Sequence, residues 1–157
     1  MTTTEEKQLT IPQAHKWFAV ECNNGTWDLI EKADRTPDED LRLVHMAHAA
    51  KYHWSQVPTA TVENEIRADN TISRAYSAIG EGGAAKYYAQ RCIDNCHAHG
   101  IGDWDLASAY GAMAYACQAA GNSVAQGEWT TKAKEACADI KEDEDRNIIE
   151  QDLAKLA

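Results

Sequence analysis

The sequence predicts an all-α fold of about seven helices stacked as antiparallel hairpins, and three observations carry that expectation. The apolar residues lean on Ala, Tyr and Trp, with a single Phe and only three prolines in 157 residues. Alanine is the strongest helix former, and the β-branched runs that strands need are absent. Helix start and stop signals recur along the chain, and the loops they leave are short, which makes neighbouring helices antiparallel.

Residues 1–9 read as a flexible tail, followed by one helical domain over 10–157. Thr10 and Pro12 open the first helix, since proline is tolerated in a first turn. Phe18, Cys22, Gly25 and Leu29 recur at helical spacing, giving a helix over about 11–33, with Asn23-Asn24-Gly25 as the point where it could break. "TPDE" is the clearest start signal: Thr36 caps, Pro37 takes the first position and Glu39 closes a capping box. That second helix runs to about 56 and stops at Val57-Pro58. A third spans about 60–79 and ends at "GEGG"; a fourth spans 83–99 and ends at Gly100, a left-handed C-terminal glycine. Asp103 is expected to cap a fifth helix ending at Gly121, and Asn122 or Ser123 a sixth over about 123–141. "DEDRNIIEQDLAKLA" makes a short capping helix over about 143–157.

Charge and cysteine usage narrow the partners. A net charge of -10 repels phosphate backbones and anionic lipid, so neither nucleic acid nor a membrane is expected. The start "MTTTEEKQLT" is polar and carries no signal-peptide pattern, and no apolar run approaches the roughly 20 residues of a membrane span. Five cysteines without a CxxC pair then read as reduced thiols of a cytoplasmic protein, each a small core residue.

Two segments repeat one another: "AYSAIGEGGAAKYYAQRC" and "AYACQAAGNSVAQGEWTTKA". Each holds a helix ending in glycine, a tight turn, then small residues opening the next helix. This resembles the tetratricopeptide repeat over roughly residues 60–141. Tyr76 to Gly80 supplies the family's Tyr-xxx-Gly step, and Ala85 with Ala89 or Cys92 its small residues. The later copy departs, with Cys117 before Gly121 and its small residue at Ala125. Gly80 and Gly121 lie 41 residues apart (121 minus 80), longer than the family's usual 34 or so and closer to kinesin-light-chain-type spacing. The resemblance implies a short right-handed superhelix, with small residues such as Ala84, Ala85, Ala112, Ala114, Ala116 and Ala120 where helices approach. The "AHA…YHW" stretch is also similar to a helix of uncharacterised bacterial proteins, a likeness that implies no activity.

The stretch "HMAHAAKYHW" concentrates the candidate ligands. On a helical wheel Leu43, Ala47, Ala50 and Trp54 form one stripe; Leu41, His45, His48 and Tyr52 form another, and His53 lies to one side. Two apolar stripes predict a helix sandwiched between neighbours, its histidines packed and hydrogen-bonded. The alternative is a metal- or small-molecule-binding cluster of His45, His48, Tyr52 and His53, with Glu63 from the next helix. Neither HExxH nor paired ExxH motifs occur; "DNCH" is solitary. Cys92, Cys96 and His99 share a face that continues the small-residue stripe through Ala85 and Ala89, and so read as core. No catalytic residue, metal or cofactor is assigned.

The third helix carries the favoured site. Ala68, Ile72, Ala75 and Ile79 form its buried stripe; Glu63, Arg67, Asn70, Arg74 and Ser77 form a polar row opposite, which is either a salt-bridged solvent face or a binding face. Ser108, Gly111, Tyr115 and Gln118 match it on the fifth helix. The resemblance implies that these rows face a concave groove that takes peptides. Arg67, Asn70, Arg74, Ser77, Tyr115 and Gln118 would then line a non-catalytic protein- or peptide-binding site, with an acidic segment or C-terminal carboxylate as the ligand two arginines suggest. A homo-oligomer whose groove is filled by its own terminal helix is a third reading. Trp104 is expected to pack beneath the loop before the fifth helix.

Overall fold

The computed structural model describes residues 8–156. Among them the chain forms seven α-helices and no strand: α1 Ile11–Glu31, α2 Pro37–Ser55, α3 Val62–Ala78, α4 Gly82–His99, α5 Asp103–Ala119, α6 Ser123–Cys137 and α7 Asp143–Ala154. Residues 1–7 of the expected tail lie outside the described residues.

Local chemistry sets most of these boundaries. Thr10 with Gln13, and Thr36 with Glu39, close reciprocal capping boxes. The Thr61 N–H donates to Asn64 Oδ1 at 2.9 Å, so α3 starts two residues later than the pattern suggests. Asn122 Oδ1 accepts from the Ala125 N–H at 3.0 Å and caps α6. Gly80, Gly100 and Gly121 take positive φ angles of 82°, 63° and 72°, where an L side chain is strained. Two expectations need correction. Asp103 is not the cap of α5; Gly102 holds that position, and Asp103 is its first residue at φ 54°, its carboxylate accepting the Trp104 N–H. The sixth helix stops at Cys137, after which Ile140 turns inward and is buried. The first helix runs unbroken through Gly25, where a Cβ would collide with Met46 Cε.

Each helix packs on the next in sequence, and α1, α3, α5 and α7 also touch in succession; α2 and α4 meet through side chains, with His48 edge-on to Tyr88. The odd-numbered helices thus form a continuous row of backbone contacts. Packing is dense because side chains are small: Ala85, Ala89, Ala107, Ala109, Ala112, Ala114 and Ala116 are buried, as are Cys92, Cys96, Cys117 and Cys137, all free thiols like the half-buried Cys22. A Cβ on Gly82 would sit 2.6 Å from the Ala120 backbone nitrogen, so only glycine lets the α4 start approach the α5 end.

Helix α3 lies at the centre, against α1, α2, α4 and α5, and is buried on nearly every side. Its Asp69 is fully buried between α2 and α4. Lys51 Nζ lies 3.0 Å from one carboxylate oxygen, and Arg91 Nε donates to the other at 3.2 Å. The Lys51 contact is an ion pair lacking the direction of a hydrogen bond. Nearby, the Cys92 thiol donates to the Ile66 carbonyl, and burial holds its pKa far above the ordinary thiol value.

The histidine helix behaves differently from expectation. Leu43, Ala47 and Ala50 are buried, but Leu41, His45 and Tyr52 are exposed, so the second stripe is at the surface although α2 lies against both α1 and α3. No helix of the described residues is long and apolar enough to cross a membrane.

Candidate binding groove

Three connected cavities lie along the odd-numbered row, and Trp27 of α1 lines all of them. The largest, about 710 Å³, lies between Trp27, Ile30 and Glu31 of α1, Arg74 and Ser77 of α3, Tyr115 and Gln118 of α5, and Asp152 of α7 with the adjacent Lys155. A second, about 210 Å³, is lined by Asn23, Arg67, Asn70, Trp104 and Ser108 among others. The third, about 340 Å³, is walled by Trp27, Trp104, Ile148 and Ile149. Together they form a groove whose floor is α3 and α5 and whose walls are α1 and α7.

All six residues expected at a groove line it: Arg74, Ser77, Tyr115 and Gln118 in the largest cavity, Arg67 and Asn70 in the smallest. Their polar groups are largely engaged within the chain. Arg67 binds both oxygens of Asp105, at 2.8 and 3.0 Å, which raises its own pKa. Asn70 Nδ2 donates to Ser108 Oγ at 2.9 Å. Arg74, whose side chain is only 8% exposed, binds both oxygens of Asp152 at 2.6 and 3.1 Å. Its guanidinium lies 3.6 Å from the Tyr115 ring centroid and 5.2 Å from that of Trp27, a cation–π arrangement that compensates its burial. The Tyr115 hydroxyl donates to the Asp152 carbonyl at 2.7 Å. Burial, with Asp152 adding to it, pushes the Tyr115 pKa up to about 12, so the ring stays a neutral donor. The anticipated clamp for an outside carboxylate is thus filled by in-chain acids. Ser77 differs: its buried hydroxyl has no partner.

Sequence reasoning missed both acids, Asp105 and Asp152, and placed Trp104 under a loop when it lines the groove. The Arg67–Asp105 pair joins residues 38 apart and Arg74–Asp152 residues 78 apart, separations that helical periodicity does not reach. Gly111, expected in the groove row, is buried with a Cβ position in ordinary contact with Leu153.

The alternative cluster is not assembled. His45 is exposed on α2. His48 Nε2 lies 3.0 Å from the Tyr76 hydroxyl and packs edge-on to Tyr76 and Tyr88; burial, then His45, lowers its pKa. His53 turns the other way, to His15 of α1, with their Nδ1 atoms 2.8 Å apart. Tyr52 is edge-on to both rings of that pair and exposed. Glu63 sits in the first turn of α3, where backbone N–H groups lower its pKa. Among the described residues no three His, Cys, Asp or Glu side chains converge as metal ligands would.

No family model matches the chain, and neither a curated protein nor a solved structure matches it.

Proposed function

We propose that this protein is a non-catalytic binding module, a tetratricopeptide-like array with the right-handed stacking of that family, whose groove holds an extended segment of a partner protein. One observation carries the reading: polar residues expected on a single face from α3 and α5 line one connected groove together with Trp27 and Trp104. A groove with aromatic walls and a few fixed amides and hydroxyls suits a peptide, whose main chain needs hydrogen-bond partners and whose side chains need apolar area. Asn70, oriented by Ser108, keeps its carbonyl oxygen for a main-chain N–H; Gln118 supplies a further polar group. A cytoplasmic setting and a scaffold or adaptor role accord with this reading.

The tryptophans provide the test. Trp27 and Trp104 line the groove, and Trp17, Trp54 and Trp129 do not. Peptides selected from a displayed random library should shift the indole N–H resonances of Trp27 and Trp104 alone, and Asn70→Ala should weaken their binding about tenfold, the loss of one to two hydrogen bonds. Failure to select any peptide, or shifts confined to Trp17, Trp54 and Trp129, would refute the reading.

A further inference from the structure

We infer that the groove selects its partner by a bulky apolar or aromatic side chain, seated between Trp27, Trp104 and Ile148, and not by a carboxylate; this rests on the groove reading above. The charge pattern of the groove carries the first half of the inference. Arg67 and Arg74 already hold a carboxylate through two hydrogen bonds each, Asp105 and Asp152; Arg35, at the edge of the largest cavity, is taken up by Asp40 and four backbone carbonyls, and the exposed Glu31 and Lys155 at the rim cancel in charge. An incoming carboxylate would have to displace an in-chain one from an equivalent geometry, leaving that acid unpaired, in a chain already carrying a net charge of -10. A side chain without charge meets no such exchange. Neutral occupants are therefore the complement of a groove whose buried charges are internally satisfied.

The second half rests on unspent apolar surface. Arg74 is sandwiched by Tyr115 and Trp27, but the compartment of about 340 Å³ presents Trp104, Ile148 and Ile149 with no internal side chain filling it. Ile148 is 53% exposed on the wall formed by α7, and a side chain seated against it and Trp104 would bury apolar area on both. The volume lies at the low end for ligand pockets and suits one large side chain. The adjoining 710 Å³ cavity, with Gln118 and Ser77, then holds the flanking main chain.

The test uses the full chain and a displayed library of random heptapeptides, the selected sequences being remade with free and with amidated C-termini. Trp, Phe, Leu or Ile should dominate one position, and amidation should leave affinity within about twofold. Trp104→Ala should weaken binding at least tenfold. Because Trp104 also packs on the core, Ile148→Asn, at an exposed site, gives a second variant and should weaken binding about fivefold with no loss of helicity. Selection of Asp- or Glu-rich sequences, or dependence on a free carboxylate, overturns the inference while leaving a peptide groove in place. Selected peptides indifferent to both variants overturn it too. A library that yields no binder overturns the groove itself.

Discussion

Asp69 and Arg74 both lie on α3, and both are charged residues removed from solvent, yet they are held in different ways. Asp69 lies in the closed seam between α2 and α4, where Lys51 and Arg91 neutralise it from two sides. Arg74 faces the open row, where a single carboxylate meets its edge and two aromatic rings cover its faces. The first arrangement fastens three helices. The second fixes the floor of a groove while leaving aromatic surface and amides beside it uncommitted. The contrast separates charge that serves the fold from charge that shapes a site, though both appear in one helix as polar letters of the same kind.

The largest effect should come from stranding the closed charge. The double substitution Lys51→Met, Arg91→Met leaves the Asp69 carboxylate buried without a counter-ion, and should cost about 3–5 kcal/mol, read as a lowered urea midpoint. Asp69→Asn should cost less, since Lys51 and Arg91 are partly exposed and can return to water. If the two variants lose equal stability, the seam is not organised around the acid.

The closed side should be equally intolerant of volume. Gly82→Ala sets a methyl against the Ala120 backbone, which cannot give way without shifting a helix, and should cost about 1–3 kcal/mol. Gly25→Ala meets only the flexible end of Met46 and should be close to neutral, because Ala is the better helix former. Thermal melts of the two variants compare these directly; the reverse order would contradict the packing of α4 on α5.

On the open side, Asp152→Asn should cost about 1–2 kcal/mol, less than breaking the closed pair, because Arg74 retains its aromatic neighbours and adjoins an open cavity. Calorimetry on this variant and on the Lys51/Arg91 double variant ranks the two sides. A larger loss for Asp152→Asn would mean that Arg74 is as sealed as Asp69.

Why the sequence revealed one of these sites and not the other follows from the range of its signals. Thr36, Pro37 and Glu39 act within four residues, and Gly80, Gly100 and Gly121 act on their own φ angles, so helix boundaries were legible to within a few residues. The row Arg67–Asn70–Arg74–Ser77 was legible because a helix projects such spacing onto one face. The partners were not: Asp105 and Asp152 reach that row across the stack, and Asp69 resembles any surface aspartate until α2 and α4 close over it. The histidines misled for the converse reason. His48 and His53 are five residues apart, which turns them to different sides of α2, one toward Tyr76 and the other toward His15.

That divergence gives the smallest and last effect, a dependence of stability on mild acid. Burial and a neighbouring histidine lower the pKa of His48 and His53 in the folded chain. The His15 and His53 rings lie with centroids 5.0 Å apart and Nδ1 atoms at 2.8 Å. Phe18 stacks on His53 and Tyr52 lies edge-on to it, so these ring neighbours are uncharged. Around His48 are His45, Tyr76 and Tyr88, with Asp69 the more distant opposing charge. A folded pKa below the unfolded one means that the unfolded chain binds more protons. Stability is therefore full above about pH 6.5 and falls as pH drops through that value toward the folded one. Glu39 and Glu63, whose pKa values are also lowered, lose their contribution only at lower pH, near and below about 4.3, so the two windows separate. Melting temperature should fall between pH 7.5 and 5, and fall less in the double variant His48→Gln, His53→Gln. Equal slopes in the two proteins would show that neither imidazole is held neutral by the fold.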